Sequence, residues 1–282
     1  MHSTIVSTAL LARHLEDPRW LVIDVRHELS DPAFGRRAFA AGHIPGAQFL
    51  HIDDDLSAPT TGRNGRHPLP GREAFAARMG ELGLTPQTQV VVYDAQGGMT
   101  AVRLWWMLRW IGHAGVAVLD GGLPAWLAAG LPVEAGAAKP RAASPVLIQP
   151  SLVGAVSAAD LLANLAGGPL QVVDARSPDR FRGENETLDP VGGHIPGALN
   201  RFFRDNLGPD GHFKPADQLR AEFETLLDDT PVESVVAQCG SGITACHNLL
   251  ALEIAGLPGA RLYPGSWSEW CADPAHPVAT GA

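Results

Sequence analysis

The chain has 282 residues, 45% of them hydrophobic and 18% charged, with a formal net charge of -9. That length suits about two domains at roughly 150 residues each, and the composition is that of a globular protein able to bury a core. The acidic balance and the lack of any Lys/Arg run exclude nucleic acid as a partner, since binding a phosphate backbone requires clustered cations. The start, Met1-His-Ser-Thr-Ile-Val6, has no basic stretch leading into an apolar core, so no signal peptide is expected. No window approaches ~18 uninterrupted apolar residues, and the most apolar one, Leu104 to Ile111, is broken at Arg109. The expectation is a cytoplasmic protein with no membrane partner.

In chain order, the first strand signal is Leu21–Val25, an apolar run without polar alternation, as expected of a strand buried on both faces of a parallel sheet. Gly42-His-Ile-Pro-Gly-Ala47, His51-Ile-Asp-Asp-Asp55 and Gly65-Arg-His-Pro-Leu-Pro70 follow as turn-rich segments. Arg72–Leu82 has helical periodicity, Val90–Tyr93 reads as a strand, and Trp105, Trp106 and Trp110 lie on an apolar helix as core residues. Ala117–Leu119 is the next strand. Ala135-Gly-Ala-Ala-Lys-Pro-Arg-Ala-Ala-Ser-Pro145 has no packable face and reads as a connector. Beyond it come strands at Val172–Val173 and Val235–Ala237, and a helix over Pro215–Leu227 with the proline in its first turn.

The second half repeats the first. Leu21-Val-Ile-Asp-Val-Arg26 is echoed by Gln171-Val-Val-Asp-Ala-Arg176, and Gly42-His-Ile-Pro-Gly-Ala47 by Gly193-His-Ile-Pro-Gly-Ala198. Val91-Val-Val-Tyr-Asp-Ala95 aligns with the run ending in Cys239, Thr100-Ala101 with Thr244-Ala245, and the segment before Trp126 with that before Trp270. Four matches in one order make the repeat a whole domain. The expected organisation is residues 1–134, a linker at 135–150 and a second domain at 151–282, each an α/β domain with a parallel sheet flanked by helices.

There are three cysteines, Cys239, Cys246 and Cys271, too few and too scattered for a disulfide framework or a paired metal site. Cys246 and Cys271 read as small buried hydrophobes. Cys239 differs, because Val235-Val-Ala-Gln-Cys-Gly-Ser-Gly-Ile-Thr-Ala245 runs a strand into two glycines and then a helix. Glycines let backbone N–H groups converge on one point, and a helix presents its positive end there. Both effects favour a thiolate, the nucleophilic form of cysteine. The first copy has Ala95 at the matching place, so one copy is expected to be chemically silent.

With these residues in view, the chain resembles the tandem-domain rhodanese family, the thiosulfate and 3-mercaptopyruvate sulfurtransferases. The resemblance rests on both GHIPGA motifs, the Asp-Val-Arg26 and Asp-Ala-Arg176 strand ends and the Cys239-Gly-Ser-Gly-Ile-Thr-Ala245 loop. It implies that the second domain is active, that the Cys239 thiolate takes sulfur from a small donor to become a persulfide, and that cyanide or a thiol then removes it. No metal and no organic cofactor are implied, and a thioredoxin-like reductant is one acceptor that fits. It further implies that Gly240, Gly242, Ile243 and Thr244 line the donor site and that Arg180, with Arg182 as second candidate, binds an anionic donor. Ser241, in place of the basic residue common in thiosulfate enzymes, is similar to the mercaptopyruvate branch, where the serine acts with His67 and Asp53 as a proton relay. That branch has a second donor-binding arginine about nine residues after the first, a place held here by Asp189. Two fused domains suffice for one complete site, so a monomer is expected.

His43 and His194 occur in both copies and are therefore read as structural, as are Arg26 and Arg176. Two other functions compete with this reading. A cysteine phosphatase needs an arginine six residues after its cysteine, where this chain has Ala245. A non-catalytic binding module has no use for the retained Cys239.

Overall fold

The computed structural model describes residues 1–281 and divides into two compact units. The first comprises Met1–Ala58, Pro70–Leu152 and Pro209–Phe213; the second comprises Pro59–Leu69, Val153–Gly208 and Lys214–Ala282. Each half of the chain therefore lends one short segment to the unit built mainly by the other half.

The first unit holds β1 (Ile5–Val6), β2 (Trp20–Asp24), β3 (Gln48–Phe49), β4 (Gln89–Tyr93) and β5 (Val116–Leu119), paired in parallel in the order β1-β5-β4-β2-β3. The second repeats it with β6 (Gly154–Ala155), β7 (Gln171–Asp174), β8 (Leu199–Asn200), β9 (Val235–Gln238) and β10 (Arg261–Leu262), in the order β6-β10-β9-β7-β8. All five residues of β4 and all four of β9 are buried, the burial expected of a central strand covered on both faces. The two-residue edge strands are too short to carry a periodic signal. In each sheet the chain leaves β2 or β7 toward one edge and β4 or β9 toward the other, which opens a crevice at their carboxyl ends.

The expected helix at Arg72–Leu82 spans Arg72–Glu81. The second begins at Ala216, because Pro215 is extended (φ -52°, ψ 145°) and stands just outside the first turn. Trp105 and Trp106 are fully buried on the helix Ala101–Trp110, as a core reading requires. Trp126 and Trp270, matched in the repeat, each donate an indole N–H to a carbonyl downstream, of Pro132 (2.8 Å) and Pro277 (2.9 Å) respectively.

The repeated motifs turn out to be one device. At the end of β2, Arg26 doubly engages Asp24 (2.6 and 2.8 Å) and donates to the Gly42 carbonyl (2.7 Å). At the end of β7, Arg176 engages Asp174 (2.6 Å) and donates to the Gly193 carbonyl (2.7 Å). The histidine after each glycine is tied to a helix carbonyl, His43 to Phe39 and His194 to Phe181, both at 2.8 Å. Each ring stacks on that phenylalanine. The clamp thus joins strand end, helix and Gly-His-Ile-Pro-Gly turn, and both histidines are buried within it.

Burial alone pushes the Asp24 carboxyl above the usual range, against the pull of Arg26. Arg26→Met should therefore strand a buried acid and destabilise the first unit by about 3–5 kcal/mol, and adding Asp24→Leu should recover part of the loss. Urea unfolding monitored by tryptophan fluorescence checks this; an Arg26→Met protein as stable as the wild type would refute the clamp.

Candidate active site

The loop after β9 is anchored from below. Cys239 donates its N–H to the Ser266 hydroxyl (3.1 Å), which in turn donates to the Tyr263 carbonyl (2.9 Å). Trp267 and Ser268 donate their N–H groups to the carbonyls of Cys239 and Gly240, both at 2.9 Å. Gly242 sits at φ 79°, and a Cβ there would lie 2.1 Å from the Pro264 carbonyl oxygen, so no other residue fits. The chain is thereby bent around the cysteine. The N–H groups of Gly242 (3.1 Å) and Ser241 (3.4 Å) point at the Cys239 sulfur. The helix Ala245–Ile254 begins just beyond. Converging amides and a helix start place a positive potential at that sulfur.

The first copy shows what this loop geometry requires. Asp94, aligned with Gln238, turns its carboxylate into the loop and accepts N–H bonds from Gln96 (2.9 Å), Gly98 (2.9 Å), Thr100 (2.8 Å) and Ala101 (3.0 Å). A resident carboxylate therefore fills the nest in the copy that has Ala95. In the second copy Gln238 is drawn instead toward Asp174, and the place of the anion is left to the cysteine.

Of the residues singled out in the sequence, Ser241 and His67 meet: Ser241 Oγ and His67 Nδ1 are 2.7 Å apart, both residues buried. His67 arrives on Pro59–Leu69, the segment that belongs to the second unit. Asp53 belongs to the first unit, where its carboxylate lies 3.8 Å from Nδ1 of His51. Ile243 and Thr244 line the start of the helix with the two glycines.

Arg180 lies beside the loop, its guanidinium 3.6 Å from where a Gly240 Cβ would stand. Arg182 is not brought there. Its guanidinium is taken by the exposed Glu184 at 2.7 Å.

Four residues stand here in contacts that the linear reading did not give them. Glu186 clasps Arg180 (2.8 Å), and Asp189 joins Arg180 (3.4 Å) and Arg66. Burial works to raise both acids. It prevails at Asp189, whereas at Glu186 the N–H of Leu188 and the Arg180 guanidinium hold the carboxyl below its usual range. Ser266 is the fourth, at φ 54° where the first copy has Gly122 at φ 57°. That mismatch, between the matched Gly121/Gly265 and Trp126/Trp270, was a legible signal.

One further cluster has metal-ligand chemistry. Ligand atoms of His27, His51 and Asp53 lie within 4.8 Å of one another. Both ring nitrogens of His51 are already engaged, Nε2 with the Pro32 carbonyl (2.7 Å) and Nδ1 with the N–H groups of Asp53 (3.2 Å) and Asp54 (3.4 Å). Among the described residues, no helix is long and apolar enough to cross a membrane.

Fold and loop together define a duplicated α/β protein whose second copy presents a cysteine in an anion-binding turn. The sequence matches the description "Rhodanese-like domain" over residues 7–129 and 157–273. It is 49% identical over 279 residues, 98% of each chain, to a Pseudomonas aeruginosa protein bearing the name "Probable 3-mercaptopyruvate sulfurtransferase". It is 34% identical to the bovine thiosulfate sulfurtransferase, covering 96% of this chain and 92% of that one. The crystal structure of SseA from Escherichia coli, titled as a 3-mercaptopyruvate sulfotransferase, superposes with a TM-score of 0.82 at 34% identity, over 94% of this chain and 99% of that one. The chain belongs to the rhodanese family, and the relatives it matches are sulfurtransferases.

Two outcomes follow from the loops. Asp94→Ala should leave four amides without their acceptor and destabilise the first unit by about 1–3 kcal/mol, measurable by urea unfolding; an unchanged midpoint would show that the carboxylate does not organise this loop. Burial first, and the nearby Asp189 charge second, push the Cys271 thiol up to about 11. At pH 8 its thiolate fraction should then be about a hundred-fold below that of a free cysteine, rising with pH until about 11. Iodoacetamide labelling followed by peptide mass spectrometry should spare Cys271 at pH 8, and ready labelling there would contradict this.

Proposed function

We propose that this protein moves a sulfur atom from 3-mercaptopyruvate, or else thiosulfate, to a thiol or cyanide through a persulfide on Cys239. The carrying observation is the contact between Ser241 and His67, 2.7 Å apart and two residues past a cysteine whose sulfur receives two backbone N–H groups. The Cys239 thiolate attacks the donor sulfur. With 3-mercaptopyruvate the carbon–sulfur bond breaks, its electron pair passes to the pyruvate enolate, and that carbon takes up a proton. With thiosulfate the sulfur–sulfur bond breaks and sulfite leaves with the pair, so no proton is needed. Cyanide or a thiolate then removes the outer sulfur and regenerates the thiolate.

The carbon leaving group is what gives a serine–histidine pair work to do, and this favours 3-mercaptopyruvate. Asp53 is assigned to the same relay on its place in the sequence. A thioredoxin-like reductant is the thiol acceptor proposed, in a cytoplasmic setting and with the chain acting as a monomer.

Thiocyanate formation from cyanide, with each donor in turn, tests the reading beside Cys239→Ser. Turnover should vanish in that variant. Ser241→Ala and His67→Gln should each cut kcat with 3-mercaptopyruvate by about a hundred-fold, with a much smaller loss for thiosulfate. Equal losses with both donors would remove the proton relay, and no turnover of either donor by the native protein would overturn the proposal.

A further inference from the structure

We propose that His27, His51 and Asp53 form a binding site for one divalent ion of the zinc class at the carboxyl end of the first sheet. The inference stands apart from the sulfur-transfer reading: Asp53 is a ligand here whatever part it takes in the relay.

The sheet brings the three residues together. β2 and β3 run side by side with Asp24 opposite Phe49. His27 follows Asp24 by three residues and His51 follows Phe49 by two. Both therefore sit just past adjacent strand ends, where ligands collect in open parallel sheets. The two residues are buried, and their rings stand nearly perpendicular (82°) with centroids 5.5 Å apart. Asp53 brings a carboxylate that is 41% exposed, which gives an ion its way in. Ligand atoms of the three lie within 4.8 Å of one another. The ligands of a tetrahedral zinc, each about 2.0–2.1 Å from the ion, lie about 3.4 Å apart. Oδ2 of Asp53 is 3.8 Å from Nδ1 of His51, and Asp54, paired with Arg36, puts a second carboxylate oxygen 3.5 Å from the same nitrogen. Small side-chain movements close this set around an ion.

His51 is oriented as a ligand. Its Nε2 lies 2.7 Å from the Pro32 carbonyl, which can only accept, so that nitrogen carries the proton and Nδ1 keeps a lone pair. A carbonyl behind the distal N–H is how proteins commonly fix the tautomer and direction of a metal-bound histidine. The amides of Asp53 and Asp54 share that lone pair at 3.2 and 3.4 Å, long for hydrogen bonds, and the ion displaces them. Two imidazoles and a carboxylate suit zinc, cobalt or nickel, whereas magnesium and calcium demand oxygen ligands. Three protein ligands leave a fourth position for water.

The repeat shows that the shared fold does not need this set. In the second sheet Asp174 stands opposite Asn200, and the matching positions hold Ser177, Phe202 and Arg204. His43 and His194 recur in both copies and belong to the clamp. His27 and His51 occur in one copy alone, and in the other a cation stands where Asp53 would be.

Zinc binding is measured by titration calorimetry on the full chain carrying Cys239→Ser, stripped beforehand with a chelator. That substitution keeps the Cys239 thiol from taking zinc and removes sulfur transfer from the readout. One zinc per chain with a Kd of about 1 μM or tighter is expected, with no heat from magnesium and a higher urea midpoint when zinc is present. His27→Gln, His51→Gln and Asp53→Asn should each weaken zinc by about a hundred-fold or more, beyond what loss of an outer partner costs. His14→Gln, a histidine outside the cluster, should leave the affinity unchanged. If His51→Gln does not fold for want of its Pro32 contact, His27→Gln and Asp53→Asn decide the matter. Absence of stoichiometric zinc binding, or full affinity in the folded variants, would overturn the inference. Failure of the sulfur-transfer reading shows instead in the thiocyanate assay on the native protein, so the two failures are told apart.

Discussion

Backbone N–H groups converge on a point just past the central strand of each sheet, and a hydrogen-bond acceptor has to sit there. Buried amides without an acceptor are costly, so the turn exists only where something fills it. In the first copy the filler is permanent: the Asp94 carboxylate takes four of these amides. In the second it is the sulfur of Cys239. The same constraint that holds a carboxylate in the turn of one unit thus holds a cysteine sulfur in the other, and the difference lies in one acid and one cysteine.

The frame under both turns is common. An Arg–Asp pair closes the neighbouring strand end and reaches a glycine carbonyl, and a histidine stacked on phenylalanine secures the turn that follows. Because these contacts are buried and mutually dependent, duplication could alter the loops while leaving the clamps untouched. The replacement of Gly122 by Ser266 shows how such an alteration reaches the cysteine loop indirectly. A residue at the same left-handed backbone position gains a hydroxyl, and that hydroxyl supports the amide of Cys239.

Above the cysteine the electrostatics are arranged by pairing. Arg66, Arg176 and Arg180 are matched with Asp174, Glu186 and Asp189 in a run of contacts that compensates the charges while orienting each guanidinium. Desolvated charges left single would be expensive. Paired with these acids, they stay in place. Arg176 serves twice, as clamp and as part of this run, with its guanidinium 4.6 Å from the Trp267 ring.

Much of this was legible in the amino-acid order. Uniformly apolar runs identified the central strands, since burial on both faces removes alternation. The repeat identified two sheets, and the glycines around Cys239 identified a turn that only small residues permit. The matching histidines were rightly set aside, because a residue needed in a silent copy is needed for the fold. Other features had no local signature. Two-residue edge strands such as β1 and β8 are defined by their partners alone. Which of Arg180 and Arg182 faces the loop depends on side-chain direction from a five-residue helix. Arg66 and Asp189 are 123 residues apart, and Ser241 and His67 are 174 apart. A sequence carries composition and period but no distances between remote positions. The chain order therefore determined the strands, the duplication and the glycine-flanked cysteine turn, whereas the assignment of Pro59–Leu69 to the second unit, and with it the company that cysteine keeps, was decided by tertiary packing.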